Sequence, residues 1–205
     1  TTDTLYHFVW DEVCDWYLEL SKLPFKEGGA AADVTRRVLG EVLDVVLRLL
    51  HPVTPFVTEA LWTELTGGES LVVAPWPVPD SARSDSAAES EIAALQELVT
   101  EVRRFRSDQG LPPGKRVPAR IGGLPPALAT HEAEIRALSM LTLPGEGFDT
   151  SSTLTVGGAR IELDLHGAID VAAERKRLDR DLAAAAKDLA QAQAKLGNEQ
   201  FLAKA

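Results

Sequence analysis

Apolar residues recur in this chain in steps of three and four, and that period restricts most of it to helices burying one face. Over 5–22 they stand at Leu5, Phe8, Val9, Val13, Trp16, Tyr17 and Leu20, with Asp11, Asp15 and Lys22 opposite. Trp10 sits at the edge of this stripe and Leu18 nearly opposite it. Leu23-Pro24 is expected to end the helix, with 27–30 as a loop. A second helix is expected from Asp33 as N-cap, with Val34, Val38, Leu39, Val42, Leu43, Val46, Leu49 and Leu50 forming its apolar face. Pro52 stops it, and Thr54-Pro55 restarts a helix whose Phe56, Val57, Ala60, Leu61 and Leu65 are expected inside. His51 has no second ligand at metal spacing and reads as a helix-end residue.

Pro75, Pro77 and Pro79 make 71–80 an extended strap, with Trp76 as the expected plug onto the bundle. Ser86-Ala87-Ala88-Glu89 fits a capping box. The helix it opens carries Ile92, Leu95, Leu98, Val99, Val102 and Phe105 on one side, and is expected to close an antiparallel bundle. From Val117 the period changes. A strand over 117–121, a helix over 125–141 and a hairpin turning at Gly157-Gly158 describe a small α+β unit. Asp164 beside His166 has no accompanying nucleophile and reads as strand-end polarity. The tail repeats as a coiled-coil seam through Val171, Leu178, Leu182, Ala185, Leu189, Ala192 and Leu196, ended by Gly197-Asn198.

Length and hydrophobic content suit one or two compact domains, and no apolar run is long enough to span a membrane. No cationic, apolar leader precedes the first helix, and the lone Cys14 has no internal disulfide partner; both suit the cytoplasm. The formal net charge of −10 opposes a general nucleic-acid binder. That acidity is local, however. Residues 1–95 hold 16 acidic and 6 basic side chains, whereas 170–205 hold 6 and 7. A selective RNA reader with few phosphate contacts tolerates such a balance.

The wording of the helices is more specific than their period. Cys14-Asp15-Trp16-Tyr17-Leu18-Glu19 followed by Lys22 resembles the helix that opens the anticodon-binding domain of bacterial valyl-tRNA synthetases, class I aminoacyl-tRNA synthetases. Leu50-His51-Pro52-Val53-Thr54-Pro55-Phe56-Val57-Thr58-Glu59-Ala60-Leu61-Trp62 is similar to the helix-break-helix of the same domain, which isoleucyl and leucyl enzymes share. The stretch 102–115 resembles the junction where an arginine-bearing helix end meets a proline-containing turn. Asn198-Glu199-Gln200-Phe201-Leu202-Ala203-Lys204-Ala205 resembles the turn of the family's C-terminal helical hairpin. These matches occur in family order.

The resemblance implies a mainly α fold: an anticodon-binding helix bundle over 1–107, a small α+β unit over 108–168, and the first helix and turn of a coiled-coil arm over 169–205. It implies that the partner is the tRNA for valine, held at its anticodon and elbow, and that the remaining partners are the synthetase's own catalytic and editing domains. The family's enzymes esterify valine to tRNA with ATP and Mg2+. Neither a His-Ile-Gly-His-like nor a Lys-Met-Ser-Lys-Ser-like stretch occurs in this sequence, nor a Gly-rich phosphate loop after a strand. No catalytic residue, metal ligand or cofactor is therefore assigned here. The family continues into a returning helix beyond the position of Ala205, so the seam is expected to pack with a second copy or to fray.

Unpaired anticodon bases need a rigid surface bearing a few donors, acceptors and apolar contacts. The off-stripe flank of the first helix supplies Trp10, Asp15, Leu18, Glu19 and Lys22. The end of the capping-box helix supplies Arg103, Arg104 and Arg106, followed by Lys115. Such cations also suit a helix C-terminus electrostatically. The elbow candidates are Arg175, Lys176, Arg177, Arg180, Lys187 and Lys195 on the tail. Two other classes fit the same pattern: an isoleucyl- or leucyl-type fragment, and a helical protein-interaction module that binds no RNA. Without the activating motifs, valine-dependent ATP–pyrophosphate exchange by the purified chain should stay at background; turnover above it contradicts the assignment.

Overall fold

A computed structural model describes residues 2–168 and 171–196, with side chains of 171–174, 177, 195 and 196 left aside. The chain opens with one continuous rod. It is α-helical over Thr2–His7 (α1), π-helical over Phe8–Tyr17 and α-helical again over Leu18–Glu27 (α2). A ten-residue π segment is long, since such winding usually appears as a single turn. Its wider turn carries the 3.6-residue stripe around the axis. Val13 is buried and Trp16, Tyr17 and Leu20 are half-buried, while Phe8, on the same groove side, stays 44% exposed. The rod also passes through Pro24, contrary to the expected stop there. Proline forbids only its own N–H and crowds the turn before it, and Gly28 closes the helix by donating to the Pro24 carbonyl at 2.9 Å.

Gly28, at φ 76, is the whole of the expected loop. The next helix, α3 (Gly29–Leu50), begins earlier than expected, and Asp33 pairs with Arg36 at 2.7 Å instead of capping it. The break at His51–Thr54 follows expectation, with Pro55 at the first position of α4 (Pro55–Thr66) and Gly67 left-handed at its end.

The orientation of α4 does not. Phe56 is 91% exposed, and Val57, Ala60, Leu61 and Leu65 also face out. Polar contacts hold this helix to α3 instead. Trp62 Nε1 donates to Asp44 at 2.6 Å, His51 Nδ1 meets Thr58 Oγ1 at 2.9 Å, and Thr58 is fully buried. Arg48 completes the cluster by pairing with Asp44. Specific hydrogen-bonding partners thus set the rotation of α4, overriding its apolar stripe.

The strap is irregular, with two single 3-10 turns at Leu71–Val73 and Ser81–Arg83. Its plug is Leu71, which is buried and whose amide donates to Glu59 at 2.9 Å; Trp76 is 60% exposed. Asp85, not Ser86, caps α5 (Ser86–Asp108), accepting from the Ala87 and Ala88 amides at 3.0 and 3.1 Å.

The core lies where α5 meets the sheet. Its Leu95, Leu98, Val99 and Val102 are at most 1% exposed. The sheet has the order β2-β1-β4-β3 with β1 Val117–Gly122, β2 Leu141–Thr142, β3 Ser152–Val156 and β4 Ala159–Leu163. Gly157 and Gly158, both at positive φ, turn the hairpin, placing Leu154 against Ile161 and Val156 against Ala159. The expected helix over 125–141 is shorter: a 3-10 turn at Pro126–His131, then α6 (Glu132–Leu138). Leu141 belongs to β2, which runs parallel to β1. One buried cluster joins Val102 to Val117, Ile161 and Leu163; a second joins Leu95 and Leu98 to Ile135 and Leu138, with Trp16 and Leu20 of the rod against it. The buried face of α5 thus serves the α+β unit as much as the helices before it.

Beyond a turn at 166–168, α7 (Val171–Leu196) runs for about 39 Å. Leu178, Leu182 and Leu189 of its seam are 52, 71 and 59% exposed, so no described residue covers them. The tail's turn at 198–205 lies outside the described residues. Between the rod, α3 and α5 an apolar groove of about 590 Å3 stays open, lined by Phe8, Val13, Trp16, Leu20, Val34 and Val38 among others. Ile161→Ala, cutting the strand–helix core, should cost roughly 2–5 kcal/mol in urea unfolding. Trp76→Ala should cost under about 0.5 kcal/mol, as an exposed position does.

Candidate nucleic-acid interface

The rod presents two faces. Phe8, Glu12, Val13, Trp16, Tyr17 and Leu20 turn to the groove. None of the five flank candidates lines it. Trp10 is 56% exposed and stacks on Tyr6 with ring centroids 6.3 Å apart, leaving an aromatic step on the outside. Asp15 and Lys22 are exposed, while Leu18 and Glu19 are half-buried. Lys22 Nζ donates to Glu19 at 2.5 Å, and this exposed pair is weak enough to open toward a ligand. The flank is therefore open to solvent at Trp10, Asp15 and Lys22, and is not shut against the α+β unit.

The second locus divides by role. Arg103 lays its guanidinium 5.5 Å over the Trp16 ring and donates Nε to the Leu138 carbonyl at 2.9 Å, tying the rod to α6. Arg104 is exposed and only loosely paired, 3.8 Å from Glu101. Lys115 and Arg116 are exposed on the turn that follows. Arg106, expected on the same surface, is instead 4% exposed. Its terminal nitrogens donate to the Met140 carbonyl at 3.3 Å and the Lys115 carbonyl at 2.5 Å. Burial pushes this guanidinium below its ordinary pKa, because the charged form loses solvation. Spacing placed it among the other arginines; its helical phase, in line with Leu95, Leu98, Val99 and Val102, was the available signal that it points inward.

Two other arginines hold the unit together. Arg136 donates to the Ala119 and Thr142 carbonyls at 2.9 and 3.0 Å, fastening α6 to two strands. Arg120 lies 4.8 Å over the Phe148 ring and pairs with Glu162 at 3.2 Å. At the end of β4, Asp164 accepts from the His166 amide at 3.0 Å, which holds its carboxyl below the usual range, and its ring contact to His166 closes the same turn. On α7, Arg175, Lys176, Arg180 and Lys187 are exposed; the side chains of Arg177 and Lys195 lie outside the described residues. Among the described residues no group of three His, Cys, Asp or Glu side chains gathers as a metal site would. No helix among them is long and apolar enough to cross a membrane.

Fold and surface together define a binding scaffold: a rigid helical body whose polar flank and basic helix end face solvent. Sequence comparison gives the family. Residues 2–121 match the family model of the anticodon-binding domain of tRNA ligases, and residues 170–205 match that of the valyl tRNA synthetase tRNA binding arm. The chain belongs to the family of tRNA-ligase anticodon-binding domains, in its valyl branch. Over its full length it is 63% identical to a valine–tRNA ligase of Streptomyces coelicolor and 65% identical to one of Streptomyces avermitilis. Over 99% of its length it is 51% identical to a valine–tRNA ligase of Mycobacterium tuberculosis. It spans 23 to 24% of the length of these curated relatives.

The two kinds of arginine separate in experiment. Arg106→Met takes from the Lys115 carbonyl its arginine donor and leaves the Met140 carbonyl with the Val117 amide alone, and should lower stability by roughly 1–3 kcal/mol. Arg104→Ala should leave stability within about 0.5 kcal/mol, both measured by urea unfolding.

Proposed function

We propose that this chain is the tRNA-holding part of a valine–tRNA ligase, contributing no reacting group of its own. The observation that carries this is the order of the two family matches, the anticodon-binding domain first and the tRNA binding arm last, on one chain whose outer flank is open. The helices of 1–107 present the anticodon surface, 108–168 ties them to the arm, and 169–205 reaches toward the tRNA elbow. Trp10, with Tyr6 stacked behind it, offers an apolar platform for an unstacked base. Asp15, Glu19 and Lys22 offer acceptors and a donor to base edges, and Leu18 packs beside them. Arg103, Arg104 and Lys115 meet backbone phosphates, which position the loop without reading it. Arg175, Lys176, Arg177, Arg180, Lys187 and Lys195 place up to six further cations along the arm.

The whole ligase joins L-valine to its tRNA with ATP and Mg2+ on domains outside this chain, in the cytoplasm. The exposed leucine seam of α7 supports a second, compatible role: pairing with another helix, from the rest of the ligase or from a second copy. Affinity falls with salt according to the number of phosphates neutralised, so binding through the few cations of the acidic bundle alone should be shallow in salt, and engagement of the arm's cations should steepen it.

Titrating the chain at low salt with tRNAs for valine, isoleucine and leucine tests the assignment. The valine tRNA should bind most tightly, and Lys22→Ala with Arg104→Ala should weaken it about tenfold together, as loss of two charge contacts does. Equal binding of all three species removes the valine assignment. No binding by the chain, together with unchanged tRNA affinity of the whole ligase carrying both substitutions, removes the surface.

A further inference from the structure

Behind the C-terminal end of α5 is a cavity of about 390 Å3 whose lining includes Arg103, Arg106, Ser107, Leu138, Ser139 and Met140. Two guanidinium groups line it and no carboxylate does. Among the described residues neither arginine has an ion-pair partner: Arg103 meets the Trp16 ring and one carbonyl, Arg106 two carbonyls. A cation as buried as Arg106 normally has a counter-charge, because carbonyl dipoles offset only part of its lost hydration.

A second observation points the same way. Ser139 is 0% exposed and its Oγ has no hydrogen-bond partner, although buried hydroxyls are nearly always paired. The backbone beside it is unusual. Met140 alone among the non-glycine residues described has positive φ, at 53°. That conformation carries the Met140 carbonyl, which accepts from both the Val117 amide and Arg106. Strain of this kind is characteristically kept where a site needs it.

We propose that this cavity is a phosphate subsite, taking a phosphodiester of the bound RNA. Arg103 has spent only Nε, so both terminal nitrogens can donate. Arg106 has committed one hydrogen of each terminal nitrogen and keeps the others. With the Ser139 hydroxyl these make a donor set suited to a tetrahedral oxyanion and to nothing cationic. Arg104, next in the chain to Arg103, and Lys115, whose carbonyl accepts from Arg106, are exposed, as is Arg116, and their charge would draw an RNA strand toward this end of α5. The RNA source rests on the tRNA function proposed above; the anion chemistry does not.

The test uses the intact chain, followed by amide and arginine side-chain NMR, titrated in parallel with inorganic phosphate, sodium chloride at matched ionic strength, and valine tRNA. Saturable shifts at Ser139, Met140 and Arg106 are expected with phosphate and with tRNA, and not with chloride. Arg103→Gln should weaken phosphate about tenfold and Ser139→Ala by about threefold. Ser139→Ala also separates binding from structure. It removes an unpaired hydroxyl, so the variant should melt no lower than the parent in phosphate-free buffer while losing part of the stabilisation that phosphate confers. Phosphate shifts no larger than those of chloride, or both variants binding phosphate like the parent, overturn the subsite. Retained tRNA binding in that case leaves the tRNA function standing. Saturation by phosphate without any tRNA binding keeps the anion site and removes RNA as its source.

Discussion

The structure depends on the buried side of α5. Leu95, Leu98, Val99 and Val102 exclude water completely enough that everything touching them is fixed in place. Burying side chains of this size is worth roughly 1.5–3 kcal/mol each, the largest favourable contribution available to the chain. Both clusters of the core run through this one surface: the sheet packs on Val102, while α6 and the rod pack on Leu95 and Leu98. Because α5 is common to both, the rod's flank and the basic helix end are held in one rigid frame. Reading single-stranded bases requires that fixity, since a platform that moved would lose its discrimination to the entropy of ordering it.

Away from α5 the molecule is held differently. The α3–α4 pair is joined through Trp62, Asp44, Arg48, His51 and Thr58, a polar set. Directional bonds of this kind choose a rotation, where apolar contact alone would tolerate several. The consequence is visible on the outside: Phe56, Val57, Leu61 and Leu65 form an apolar face in solvent, and the groove beside the rod is similarly uncovered. Apolar surface of this extent is typical of a polypeptide that meets other protein. The chain spans about a quarter of the length of its curated relatives.

Arginine does two kinds of work in this chain. Arg103, Arg106 and Arg136 each donate to main-chain carbonyls across a junction, replacing the regular hydrogen bonds that strand ends and helix ends lack. Arg104, Lys115 and Arg116 keep their charge in water. The two sets are interleaved over 103–116, so a count of basic residues there overstates the surface charge by including Arg106, which is buried.

Sequence alone determined the helical majority, the break at His51–Thr54, the Gly157-Gly158 hairpin, the long terminal helix and the family. Each of these is written locally: a period, a missing amide, a pair of positive-φ glycines, a run of side chains in family order. It also separated the flank of Trp10, Asp15 and Lys22 from the groove side of the rod. What it could not decide were features set by distant partners. The π winding of the rod, the passage through Pro24, the outward face of α4, the burial of Arg106 and the choice of Leu71 over Trp76 as the strap's plug all depend on which neighbour happens to offer a carbonyl, a carboxylate or an apolar wall. Periodicity states that a helix has an apolar face. Only the packed chain states whether that face, or a better-paired polar one, is turned inward.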